Sequence, residues 1–122
     1  MDGTIIWQRA EGAVIFLTGI WIVAGAGTGP WWWSLLLFFA PDISFAAYAL
    51  GPRVGAFTYN LVHNYGFGLI VLVGGMVLGL GTAIWLGALW FAHCGLDRML
   101  GYGLKSTRGF SYTHLGRIGR GR

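Results

Sequence analysis

Long apolar blocks make up most of the chain, and sparse polar and helix-breaking residues divide them. No Lys or Arg occurs across residues 10–52 or 54–97. A helix crossing a hydrocarbon core ~30 Å thick, at ~1.5 Å per residue, needs about 20 residues, so each window holds two spans and a turn. Gly25-Ala26-Gly27-Thr28-Gly29-Pro30 marks the first turn, Gly79-Leu80-Gly81-Thr82 the second, and Gly51-Pro52 the break between the windows. The pattern predicts an all-α, membrane-embedded bundle of four transmembrane helices in two hairpins. The helices fall at about 10–25, 30–50, 53–78 and 82–101 of a single transmembrane domain, with a short ordered basic tail over 102–122.

Composition supports this reading. Of 122 residues, 56% are hydrophobic and 10% charged, against roughly 25% charge in a soluble domain, which excludes a water-soluble globule. The 22 glycines follow no three-residue period, which excludes collagen. The basic residues, Arg9, Arg53, Arg98, Lys105, Arg108, Arg117, Arg120 and Arg122, all fall on one side of a four-span layout. By the positive-inside rule both termini are expected in the cytoplasm. Trp31, Trp32, Trp33 and Trp85 lie beside the outer turns, where indoles anchor at headgroup level. The basic tail lacks a nucleic-acid-binding fold, so its expected partner is the lipid bilayer and not nucleic acid. A secretory signal ending at Ala24-x-Ala26 is disfavoured by Glu11 and by a mature chain that would begin at a span. Cys94 is expected as a small apolar filler.

The informative residues are polar groups at membrane depth: Asp42, Asn60, His63, Asn64, His93, Asp97 and Arg98. An ionisable group there costs on the order of 2.5–3.5 kcal/mol and marks a functional site by default. Counted from Arg53, Asp42 and His63 lie at nearly equal depth, and His93, counted from Thr82, reaches the same level. Asp42, His63 and His93 are therefore candidate metal ligands for Zn, Mn or Fe. Asp97, one turn from His93, is expected to orient its imidazole or add a fourth ligand. His114 in the tail is a candidate catalytic or lid residue over this site. The chemistry expected is metal-assisted hydrolysis of a lipid-like substrate at a cytoplasm-facing cavity. The alternative is a non-catalytic membrane subunit or scaffold, alone, as a homo-oligomer or with a membrane partner protein, whose polar residues lock the bundle. A proton-coupled carrier is disfavoured, because the outer helix halves contain no ionisable residue. Gly51/Gly55 and Gly75/Gly79 have the G-x-x-x-G spacing that permits close helix approach, within the chain or between copies.

Several motifs together carry a resemblance. Ala40-Pro41-Asp42, Gly51-Pro52-Arg53-x-Gly55, Tyr59-Asn60-x-x-His63, His93-x-Gly95-x-Asp97-Arg98, Gly101-Tyr102-Gly103-Leu104-Lys105 and Thr113-His114-Leu115-Gly116 occur in this order. The sequence resembles the domain of unknown function numbered 4260 from about Glu11 to Gly119. That resemblance implies a small multi-pass protein of the bacterial inner membrane and supplies no activity. It points to Asp42, His63, His93, Asp97 and His114 as the positions to test.

Overall fold

A computed structural model describes residues 3–26 and 30–118; residues 1–2, 27–29 and 119–122 lie outside it. Half of the expected first turn, residues 27–29, and Arg120 and Arg122 fall in those undescribed positions. The elements are α1 (Gly3–Ala26), α2 (Trp31–Phe38), a 3-10 helix (Ala40–Leu50), α3 (Pro52–His63), α4 (Tyr65–Leu78), α5 (Gly81–Met99), β1 (Tyr112–Thr113) and β2 (Gly116–Arg117). They form an all-α arrangement of four rods, two of which are interrupted. Gly3–Ala26, Trp31–Leu50 and Pro52–Leu78 are each long and apolar enough to cross a membrane. The first begins at Gly3, ahead of the expected start near residue 10. The bundle is apolar outside, with Trp7, Trp21 and Val77 all more than 70% exposed, while His63, His93, Arg98 and Lys105 are buried. So large an exposed apolar surface is consistent with a membrane protein.

Both interruptions have local causes. Pro41 lacks an N–H and disfavours the α conformation at Ala40. Beyond Phe38 the chain tightens, and the Asp42 N–H bonds the Phe39 carbonyl three residues back. Runs of 3-10 helix rarely exceed four residues, so this one of 11 residues is unusual. Residues three apart eclipse in that geometry, which brings Asp42, Phe45 and Tyr48 into one row. In the third rod Asn64 is extended (φ −82°, ψ 157°). Its Oδ1 accepts from the Gly66 N–H and caps α4, while its Nδ2 donates to the carbonyls of Asn60 and Leu61.

α5 is the central post. It packs against α1 through Gly12, Gly19 and Gly95, and against α4 through Gly68, Gly75 and Gly87. A Cβ at Gly95 would lie 2.5 Å from the Phe16 nitrogen and 2.8 Å from the Gly12 oxygen. Gly55 and Gly75 thus make contacts within the chain, Gly55 beneath the Tyr48 ring, whereas Gly51 and Gly79 face open space. Trp85 is not an outward anchor but is buried, with its Nε1 donating to Ser34 Oγ at 2.9 Å; Trp31, Trp32 and Trp33 are exposed.

The tail folds back on the bundle. β1 and β2 pair antiparallel, Tyr112 with Arg117 and Thr113 with Gly116, and Lys105 bridges to Thr113. Asn60 of α3 fastens it at one point: its Nδ2 donates to the Lys105 carbonyl (2.8 Å) and its Oδ1 accepts from the Lys105 N–H (2.6 Å).

Candidate metal centre

The interruptions and the continuous α5 together build the site. Asp42 stands on the first turn of the 3-10 helix, His63 is the last residue of α3, and His93 and Asp97 lie one turn apart on α5. One side-chain atom from each of the four converges, all within 4.8 Å of one another. The depth equality read from residue counts is therefore realised in space, and Asp97 joins the group directly.

The separations have the size a bound ion requires. His63 Nε2 is 3.3 Å from Asp42 Oδ1 and 3.7 Å from Asp97 Oδ2; His93 Nε2 is 3.2 Å and 3.5 Å from the same two oxygens. The two Nε2 atoms are 3.2 Å apart. Four tetrahedral donors at about 2.0–2.1 Å from one ion stand about 3.3–3.4 Å from each other. Two nitrogens and two carboxylate oxygens form a donor set suited to zinc, manganese or iron.

Proton placement sharpens this. His63 Nδ1 lies 3.0 Å from the Tyr59 carbonyl, which can only accept, so Nδ1 carries the proton and Nε2 of the neutral ring offers a lone pair. That lone pair faces two carboxylate oxygens and the second imidazole nitrogen. An acceptor cluster of this kind is favourable around a cation. Tyr59 also stacks on His63 with centroids 3.8 Å apart, and its hydroxyl reaches Asp97 Oδ2 at 3.4 Å. These contacts fix ligand orientation from outside, as supporting groups do in metal sites. His93 is held between Phe38 and Phe39, with its Nδ1 buried and without a partner among the described residues.

The broken third rod exposes carbonyls, and three residues of α5 at four-residue spacing answer them. Trp90 Nε1 donates to the Val62 carbonyl at 2.7 Å, and the Cys94 thiol lies 3.7 Å and 3.6 Å from the carbonyls of Val62 and Asn64. Arg98 donates through Nη2 to His63 and through Nη1 to Tyr102, both at 2.8 Å. Irregular backbone among apolar helices is tolerated when its polar groups are satisfied in this way. Arg98 thus supports the His63 turn, and Cys94 is buried there as expected.

A cavity of about 340 Å³ adjoins the cluster, lined by Asp42, Asp97, Tyr59, Lys105, Phe45 and Phe110 among others. Asp42 is the more open of the two carboxylates, its side chain 36% exposed against 15% for Asp97. Lys105 is a site residue that sequence reading missed. Its ammonium sits 3.7 Å from the Phe110 ring centroid and 5.0 Å from that of Tyr59, and burial pushes its pKa down to about 8. Nothing local marked it, because the contact joins positions 45 residues apart.

His114, the expected lid residue, stands apart from the cluster. Its Nδ1 accepts from the Leu104 N–H at 2.8 Å, and its Nε2 lies 3.1 Å from Gln8 Oε1, so it joins the tail to α1. Burial, and then the Arg98 charge, hold its pKa below the usual imidazole range.

The model of a family described as "Domain of unknown function (DUF4260)" matches residues 5–118. No curated protein and no solved structure matches the chain.

Proposed function

Because the chain belongs to the DUF4260 family, whose description assigns no activity, we propose a function from the geometry: a multi-pass membrane protein whose Asp42, His63, His93 and Asp97 hold one divalent transition-metal ion for hydrolysis. The observation that carries it is the set of four donor atoms within 4.8 Å of one another, each imidazole Nε2 3.2–3.7 Å from both carboxylate oxygens, with His63 Nδ1 turned to the Tyr59 carbonyl. When bound, the ion supplies Lewis acidity and brings the pKa of water toward ~7. His63 and His93 hold the ion from α3 and α5. Asp97 completes the inner side, oriented by the Tyr59 hydroxyl. Asp42, the most exposed of the four, borders the cavity; its carboxylate would be the ligand that gives up its position to a water and takes up that water's proton as substrate enters. Both termini, the cavity mouth and the basic tail face the cytoplasm in this reading, at the level of the inner headgroups, so the substrate is lipid-like.

The test is chelator-stripped protein in non-ionic detergent, reloaded with zinc, manganese or iron and incubated with mixed micelles of bacterial lipids. Mass spectrometry then follows the products. Metal-dependent release of a hydrolysed lipid that Asp42→Asn abolishes supports the proposal. No metal-dependent product with any of the three ions overturns hydrolysis as the function.

A further inference from the structure

The cavity beside the cluster holds one group that the metal centre does not use. Lys105 is 5% exposed, and among the described residues its Nζ has neither a carboxylate within ion-pair distance nor a hydrogen-bonding oxygen. It sits over the ring faces of Phe110 and Tyr59, and the Asp97 charge acts on it from beyond ion-pair distance. Ring faces attract a cation but accept none of its three N–H donors in the manner of an oxygen. The Nζ itself is not among the buried polar atoms that lack a partner, so it opens onto the cavity with its donors available, although a Lys this enclosed normally has a paired charge. The fold nevertheless takes trouble to put it there. Both backbone groups of Lys105 are gripped by the Asn60 amide, which carries the tail across the cavity.

Charge counting indicates what completes the site. Asp42 and Asp97 balance Arg98 and Lys105 while the cluster is empty of cation. A divalent ion then leaves two positive charges in excess in a partly dry cavity, where Coulomb interactions are several times stronger than in water. An acidic or zwitterionic peptide would need a longer groove than about 340 Å³ gives. A tetrahedral oxyanion fits the space and spans from a metal to an ammonium. Phe45, Phe110 and Ile118 along the same lining would cover an apolar substituent.

We propose that Lys105, held by Asn60, is the anion-recognition residue of this cavity, and that the ligand is a phosphate group, free or as the headgroup of a lipid. The proposal rests on the metal reading above for the second pole of the phosphate site. Lys105 is a specificity-determining residue and does not hold the ion.

The experiment uses the full chain in maltoside micelles, titrated calorimetrically first with Zn²⁺ or Mn²⁺, then with inorganic phosphate, and separately with short-chain phosphatidic acid. Wild type, Lys105→Met and Lys105→Arg are compared. Expected are metal affinity in Lys105→Met no weaker than in wild type, phosphate binding weakened at least about tenfold in Lys105→Met, and recovery in Lys105→Arg. Equal phosphate affinity in Lys105→Met and wild type, or no phosphate binding to the loaded wild type, overturns the role of Lys105 while leaving the metal centre standing. Failure of the metal titration overturns the metal centre instead; Lys105-dependent binding in that state still supports the anion site, and its absence overturns it. Tighter binding of the lipid than of free phosphate identifies the headgroup as the source, and the reverse identifies the free ion. Asn60→Ala provides an independent check, since loss of the clamp should weaken phosphate binding with Lys105 intact; unchanged binding there overturns the positioning argument.

Discussion

The Nδ1–H of His63 donates to the carbonyl of Tyr59, 3.0 Å away and one turn earlier in α3. This bond belongs to the helix and yet bears on the chemistry at the far side of the ring, because in the neutral imidazole it leaves Nε2 as the nitrogen with the lone pair. The same Tyr59 supports two ligands, His63 by stacking and Asp97 by its hydroxyl.

Tyr59→Phe therefore removes the Asp97 contact and keeps the stacked ring. Metal affinity should fall by about tenfold, the lower end of what outer hydrogen-bond partners contribute. Competition against a chromogenic chelator measures it. The melting temperature of the metal-free variant should stay close to that of wild type.

Arg98→Met keeps side-chain volume but strands the carbonyls of His63 and Tyr102. A hydrogen bond to a charged group contributes roughly 1.5–3 kcal/mol, and a stranded buried partner adds to the loss. Thermal unfolding in detergent should show destabilisation of at least that size. Little or no change would mean that the interrupted turn does not depend on Arg98.

Gly95→Leu places a side chain against the backbone of α1 at Gly12 and Phe16. Overpacking of this kind costs typically 1–3 kcal/mol. The α1–α5 seam should loosen, seen as faster hydrogen exchange in α1, with Gly3→Leu as the control, since Gly3 has nothing within 4 Å.

His114 predicts a pH effect. Its pKa in the folded chain lies below the ordinary value of about 6.5, so the unfolded chain binds this proton more readily. Stability is then fully present above that value and falls as the pH drops below it. Protonation would also remove the Nδ1 lone pair that accepts from Leu104. Fluorescence-detected unfolding between pH 7.5 and 5 should show the decline in wild type and a shallower one in His114→Gln.

Much of this architecture was legible in the chain. Asp42, His63 and His93 announced themselves because ionisable groups rarely stand deep in apolar segments, and equal distances from Arg53 and Thr82 placed them at one level. What escaped notice was local geometry. The chain over 30–50 read as one continuous helix, and nothing in the spacing showed that beyond Pro41 eleven residues would tighten into a 3-10 helix, which aligns Asp42 with Phe45 and Tyr48. Asn64 stood in the sequence as one more polar group within a continuous span, whereas its side chain caps a new helix. Trp85 followed the membrane-belt rule by position and departed from it by finding Ser34. Lys105 and Asn60 meet only through the folded tail, a relationship with no sequence period to reveal it.

The central claim is that Asp42, His63, His93 and Asp97 hold one metal ion. Elemental analysis of the purified protein, side by side with His63→Ala and His93→Ala, tests it most directly. About one zinc, manganese or iron per wild-type chain, lost in both variants, is the predicted result. Wild-type protein that stays free of stoichiometric transition metal after exposure to all three, or metal content indifferent to both substitutions, would contradict it.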